Sequence, residues 1–351
     1  MDSQRLIKFN DAILEATDQM MAEDRNVSLM GLGVTDPMGI FGTTKGLMDK
    51  FPGRVIETPT AENGVMGIAI GSALIGTRPI ITHQRVEFAL LAIEQITNQA
   101  AKWHYMTGGL MSMPIVIRLI IGRGWGQGPQ HSQSLDSWFA HIPGLKVIAP
   151  ATAYDAKGML ISAVRDNNPV VMLEHRWLHN TVGDVPSEVY ETPLGKAKVA
   201  RKGKDVTIVT YSYMVTEALV AANTLTEHGI DAEVVDIRTH RPLDMDTIAT
   251  SVKKTGRLIT LDNGWVQFGI GSEVVSSLVS QDISVLKTSP TRLGIADVPI
   301  PSTRALANLV YPGQKAIIAA VAKQLGRNLE ALIEAAPEIQ DTPNKSFTGP
   351  F

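Results

Sequence analysis

The chain predicts an α/β fold in two domains, each built on a mainly parallel sheet flanked by helices. Three observations carry this expectation. Short β-branched strands alternate with helical patterns along most of the length, the spacing of βαβ units. Pro114–Ile121 reads as an apolar strand of the kind buried on both faces of a parallel sheet. Between Trp177 and Lys204 the composition turns polar, with Pro186 and Pro193, and the alternation then resumes. The expected division is a first domain over 1–180, a linker over 181–204, a second domain over 205–330 and a tail over 331–351.

The elements follow in order. Residues 4–24 place Leu6, Ile7, Ile13, Leu14, Ala16, Met20 and Met21 at helical spacing and predict an amphipathic helix. Val27–Gly33 reads as a strand, followed by a loop at Asp36-Pro37-Met38-Gly39. Val55-Ile56-Glu57 opens a short strand that turns at Thr58-Pro59, because proline holds the residue before it extended. The helix beyond is apolar as far as Thr77, which predicts that it is buried. Glu62 falls in its first turn, where the macrodipole favours negative charge. Two readings stay open there: a capping acid, or a carboxylate kept at the mouth of a buried helix for something that binds it. Gly64, Gly67 and Gly71 lie inside this helix, so close helix packing is the expectation rather than a phosphate loop.

Arg78–Thr82 is the next strand, and 87–106 a long helix with Phe88 at its start. After Pro114–Ile121 comes the glycine-rich loop Gly122–Ser134, at a strand end where α/β sheets bind ligands. His131 in that loop suits proton transfer or oxyanion contact, with a backbone-bonded loop histidine as the alternative. No Gly-x-Ser-x-Gly elbow accompanies it, which disfavours a serine hydrolase. His175 and His179 have helical metal-ligand spacing but follow a strand. A helix near 134–140, a strand at 146–149, a helix at 154–165 and a strand at 170–174 complete the first domain. The second reads as strands 206–211, 232–237 and 257–262 with helices 213–228, 244–255 and 271–280.

Composition excludes several classes. With 351 residues, 44% hydrophobic content and a net charge of -3, nothing favours nucleic acid or an anionic membrane. The absence of cysteine removes disulfides, thiolate zinc sites and a cysteine nucleophile. Met1-Asp2-Ser3-Gln4-Arg5 has no apolar signal core, and no later run reads as the ~18 apolar residues of a membrane span. The expectation is no membrane contact and a cytoplasmic location.

Several segments occur in a telling order: Glu57-Thr58-Pro59-Thr60-Ala61-Glu62-Asn63-Gly64, Tyr105-Met106-Thr107-Gly108-Gly109, Gln130-His131-Ser132-Gln133-Ser134 and His141-Ile142-Pro143-Gly144-Leu145-Lys146-Val147. Tyr154-Asp155-Ala156-Lys157-Gly158, Arg165-Asp166-Asn167-Asn168-Pro169 and Asp236-Ile237-Arg238-Thr239 follow. Over roughly residues 5–325 the chain resembles the beta subunit of the thiamine-diphosphate-dependent, decarboxylating component of 2-oxo acid dehydrogenase complexes. The resemblance implies a pyrimidine-binding domain followed by a transketolase C-terminal-type domain. It implies that Glu62 hydrogen-bonds the cofactor's aminopyrimidine ring and favours its reactive tautomer, that Phe88 packs on that ring, and that His131 faces the substrate. The cofactor would be the missing partner of the Glu62 carboxylate, with the protein orienting and tuning it.

The resemblance also implies a structural potassium ion at Ile115, Ala163, Asp166 and Asn168, a plain turn at Asp166–Pro169 being the alternative. The family's Gly-Asp-Gly motif for diphosphate and magnesium is missing. In two-subunit relatives it belongs to an alpha chain, so an alpha2-beta2 heterotetramer with a shared site is expected. The implied activity is oxidative decarboxylation of a 2-oxo acid, with acyl transfer to a lipoyl carrier and its acyltransferase. A split transketolase-like or acyloin-forming enzyme without a lipoyl partner, and a non-catalytic scaffold subunit, are the alternatives. Two departures bear on substrate. Gly31-Leu32-Gly33-Val34 stands where relatives commonly carry an acidic residue, and His83-Gln84-Arg85-Val86-Glu87 where they are more aromatic. Arg85 is expected either to recognise an anionic or sugar-like substrate or to form a surface salt bridge.

Overall fold

The computed structural model describes residues 5–123 and 126–337. It divides into two compact units, one of residues up to Ile121 with Trp138–Leu194, the other of Gly122–Ser137 with the chain from Gly195 onward.

In the first unit the strands lie side by side in the order Lys146–Ile148, Val170–His175, Val116–Ile121, Arg78–His83, Val27–Gly31, Val55–Glu57, every pairing parallel. The central strand is not wholly apolar: Arg118 interrupts it and is completely buried. Its Nε donates to Glu174 Oε1 at 2.6 Å and its Nη2 to Glu174 Oε2 at 2.9 Å, a bidentate pair between neighbouring strands. Burial opposes ionisation of Glu174, but the Arg118 guanidinium outweighs it and holds the carboxyl down at about 2. His179 lies 3.6 Å from the same carboxylate, between the rings of Phe9 and Phe41, and burial lowers its pKa to about 4.

Several elements differ from the sequence reading. The first helix is Phe9–Glu23, because Leu6–Lys8 pairs antiparallel with Val182–Asp184. The polar segment assigned as a linker over 181–204 is strapped onto the first unit as far as Leu194. Buried Lys157 donates to the carbonyls of Pro186 and Glu188 at 2.6 and 2.8 Å and pairs with Glu15 at 2.6 Å. Tyr190 stacks on Tyr154 with centroids 4.5 Å apart. The expected long helix over 87–106 stays right-handed helical throughout, but its hydrogen-bond pattern changes along the way, from helix Val86–Ala89 through a 3-10 turn Leu90–Ala92 and a π turn Gln95–Ala100 to helix Trp103–Met106.

Helix Glu62–Leu74 is buried on one side only, through Val65, Met66, Ala69, Ile70 and Ala73. Gly64, Ile68 and Gly71 form an exposed flank, Ile68 being 63% exposed, and nothing lies within 4 Å of a side chain at Gly64 or Gly71. Uniform apolarity therefore does not mean uniform burial within this chain.

The second unit is a five-stranded sheet in the order Thr291–Ile295, Leu258–Trp265, Val206–Thr210, Ala232–Asp236, Lys198–Arg201, with only the last strand antiparallel. Its core joins Ile208, Ala218, Ala222, Ile259, Ile317 and Val321. By length and hydropathy Arg304–Leu325 does reach the range of a membrane span, which corrects the sequence reading. The segment is divided into helices Arg304–Val310 and Gln314–Leu325, and the second buries Ile317, Ile318 and Val321 in this core. Helix Glu330–Ala335, assigned to the tail, packs Leu332 and Ile333 on the same cluster, and residues beyond 337 lie outside the described ones.

Removing one member of a buried ion pair strands the other charge. Glu174→Ala is therefore expected to cost about 3–5 kcal/mol in urea unfolding, and Arg118→Met with Glu174→Leu together much less. The native pKa near 2 lies below the ordinary 4.5, so the pair's contribution is present above pH 4.5 and lost as pH falls toward 2. A Glu174→Gln variant should lose stability less steeply across that window.

Candidate active site

A recess of about 350 Å³, counted to open solvent, lies in the first unit at the carboxyl ends of strands Val27–Gly31 and Arg78–His83 and the head of helix Glu62–Leu74. Its lining includes Leu32, Glu62, Val65, Ile81, His83 and Phe88. Such edges of parallel sheets collect ligand sites because side chains and helix ends converge there. Gly31 keeps the rim narrow: a Cβ there would sit 2.5 Å from the Thr82 carbonyl oxygen.

Local sequence places the first acid. Strand Val55–Glu57 ends at Thr58-Pro59, the Thr58 N–H donates to Gly31 O at 3.2 Å, and the helix begins at Glu62 with Ala61 as an N-cap that makes no side-chain bond. Glu62 is partly exposed, and among the described residues its carboxylate has no hydrogen-bond or ion-pair partner. Glu57, five residues earlier, behaves oppositely. It accepts from Gly33 N at 2.5 Å and from Thr35 N and Oγ1 at 3.1 and 2.8 Å. Burial works against its charge, but these donors prevail and hold its pKa below the ordinary carboxylate value. One acid is committed to structure and the other faces the recess.

Phe88 lines the recess with Glu62, so these two sequence-predicted residues are brought together. His131 belongs to the second unit, in the loop after Gly128, whose carbonyl accepts its N–H at 3.4 Å. Arg85 is not on the surface: it is 4% exposed, so the surface-salt-bridge reading fails. Burial and the nearby Arg85 charge together lower the pKa of Arg176 to about 10.

Sequence reasoning missed His83. It ends strand Arg78–His83, lines the recess, and burial alone pulls its pKa down to about 4. Its Nε2 is sealed from solvent and has no hydrogen-bond partner among the described residues. Gln84 beside it donates to the Leu32 carbonyl at 3.0 Å. The available signal was a titratable residue at a strand's carboxyl end.

Ile115, Ala163, Asp166 and Asn168 gather at one corner, but Lys146 forms an ion pair with Asp166 there. Asp166 Oδ1 accepts from Asn168 N and Nδ2 at 2.9 and 3.0 Å. Arg78 donates to the carbonyls of Val164 and Asp166 at 2.9 and 3.0 Å. The Ile115 and Ala163 carbonyls accept from Val170 N and Asp166 N. Burial raises the Asp166 pKa, yet Lys146 and Asn168 bring it below the ordinary value. Two tethered cations already neutralise the corner, so the donor set does not fit an added potassium ion. His175 and His179 do not converge on a metal either, and no His/Cys/Asp/Glu cluster of that kind occurs among the described residues. His175 Nδ1 accepts from Trp177 N at 3.2 Å.

The family model described as the transketolase pyrimidine binding domain matches residues 6–181, and that of the transketolase C-terminal domain matches 195–333. The chain belongs to this transketolase-like family. Within it, the chain stands among the beta subunits of the 2-oxo acid dehydrogenase type. It is 41% identical over 331 residues to the acetoin:2,6-dichlorophenolindophenol oxidoreductase subunit beta of Cupriavidus necator, covering 92% of this chain and 98% of that one. It is 42% identical to the pyruvate dehydrogenase E1 component subunit beta of Rickettsia felis, covering 90% and 98%. The mitochondrial pyruvate dehydrogenase E1 subunit beta of Dictyostelium discoideum is 43% identical, covering 92% of each. A solved split-gene transketolase, an inactive beta4 tetramer, superposes with a TM-score of 0.75 at 24% identity over 91% of this chain and 98% of that one, a likeness of fold.

If Lys146 and Arg78 replace potassium, melting in KCl and in NaCl at equal ionic strength should coincide. A rise specific to KCl of more than about 2–4 °C would restore the ion to this corner.

Proposed function

We propose that this chain is the beta subunit of a thiamine-diphosphate-dependent 2-oxo acid dehydrogenase, catalysing oxidative decarboxylation with acyl transfer to a lipoyl carrier. The observation that carries the reading is the unpartnered Glu62 carboxylate at a helix head, in one recess with Phe88. The recess fits an aminopyrimidine, since it offers an aromatic face, an acceptor for a ring N–H, and apolar walls at Leu32, Val65 and Ile81. When bound, thiamine diphosphate supplies the nucleophilic carbon and the electron sink of the reaction.

In this reading Glu62 shares a proton with a ring nitrogen of the cofactor, Phe88 packs on the ring, and His131 stabilises charge on the substrate side. The family membership, and the beta-subunit names of relatives identical at 41–43%, support it. An alpha subunit binds the diphosphate and magnesium in an alpha2-beta2 heterotetramer, consistent with the missing Gly-Asp-Gly motif. The bare flank of Gly64, Ile68 and Gly71 is a surface for such assembly. The acyl acceptor is a lipoyl acyltransferase, and the location is the cytoplasm, whereas the Dictyostelium relative is mitochondrial. A non-catalytic scaffold has no use for a partly exposed Glu62 without a partner among the described residues.

Two experiments test this reading. Glu62→Gln in the co-expressed assembly should lower turnover of a 2-oxo acid by about 10²- to 10⁴-fold with assembly intact, and full activity in that variant would sink the catalytic role. Ile68→Asp should shift the mass distribution of the assembly toward free chains, because a charge would be buried unpaired. An unchanged heterotetramer would remove this flank from the interface.

A further inference from the structure

We propose that His83 is a specificity-determining residue, selecting 2-oxo acids whose carbon next to the keto group carries a hydroxyl. The inference rests on the reading above and names the substrate class of the same site. His83 stands at the carboxyl edge of the parallel sheet, is 6% exposed, and shares the recess with Glu62 and Phe88. Its Nε2 is shut off from solvent with no partner among the described residues, and burial keeps the ring neutral at pH 7. Buried polar atoms are rarely left unpaired in native proteins, and those that are commonly await a ligand or water.

The chemistry of the wall narrows the ligand. A neutral imidazole offers a single donor or acceptor at Nε2 and no charge, which matches a hydroxyl. Among the described residues no Lys or Arg lines the recess and Glu62 is its one acid, so this wall does not read a carboxylate. Buried Arg85 is not part of the lining, which moves the sequence expectation from an anionic group toward a hydroxyl. Gln84 Nε2 is held by the Leu32 carbonyl and Thr82 Oγ1 accepts from Arg118, and of the polar side chains on this wall His83 presents the sealed nitrogen that lacks a partner among the described residues. A site built to hydrogen-bond a hydroxyl rejects the analogue that lacks it, because its own polar atom then stays buried and unpaired.

Hydroxypyruvate and pyruvate differ by that one hydroxyl. The assembly with the alpha subunit, loaded with thiamine diphosphate and magnesium, is assayed with each, using dichlorophenolindophenol as electron acceptor. The kcat/KM ratio of hydroxypyruvate to pyruvate should be about tenfold or more, fall about tenfold in His83→Phe and His83→Leu, and stay within about threefold in His83→Gln. Calorimetric Kd values for thiamine diphosphate should stay within about threefold across the set. A ratio that Phe and Leu leave unmoved overturns the proposal. A cofactor Kd weakened in step with the ratio overturns it too, by assigning the imidazole to the cofactor. Absence of thiamine diphosphate binding by the wild-type assembly sinks the reading of the site itself, a result distinct from either.

Discussion

The buried pair of Arg118 and Glu174 constrains the sheet on which the candidate site stands. Neither side chain is exposed at all, and each charge would be prohibitive in that interior without the other. The bidentate geometry is met in one register of two neighbouring parallel strands, and a slip by one residue would turn both charges to the opposite faces. Arg118 also lies 3.5 Å from Thr82 Oγ1, which ties the next strand to the same point. Thr82 precedes His83 and approaches Gly31, so a polar requirement deep in the sheet reaches the rim where the recess opens.

At that rim the chain keeps two acids five residues apart in opposite states. Glu57 is surrounded by donors and holds the loop after strand Val27–Gly31; Glu62 has none and starts a helix. The strand end points Glu57 at backbone N–H groups, whereas Glu62 lines the recess from the first helical turn. Ligand chemistry is read most safely from groups that the fold leaves unsatisfied, and Glu62 and His83 are both of that kind.

Alternation of strands and helices made the two-unit α/β plan legible in the sequence, and ordered motifs led to Glu62 and Phe88. What escaped was whatever depends on a distant partner. Arg118 was absorbed into a strand read as apolar, because its partner Glu174 lies 56 residues away. The polar segment after Trp177 looked like a linker because nothing in it announces the carbonyls that Lys157 gathers. His83 passed as loop composition, since a missing hydrogen bond is a property of three-dimensional surroundings. The cations beside Asp166 were hidden for a related reason: Lys146 and Arg78 come from other strands.

The half-covered helix from Glu62 to Leu74 also has a consequence for the life of the polypeptide in a cell. Its flank at Ile68, between Gly64 and Gly71, is left bare by the rest of the chain. If the proposed alpha subunit covers that flank, the helix that carries Glu62 would link cofactor binding to subunit supply, since a chain without its partner would keep Ile68 in water.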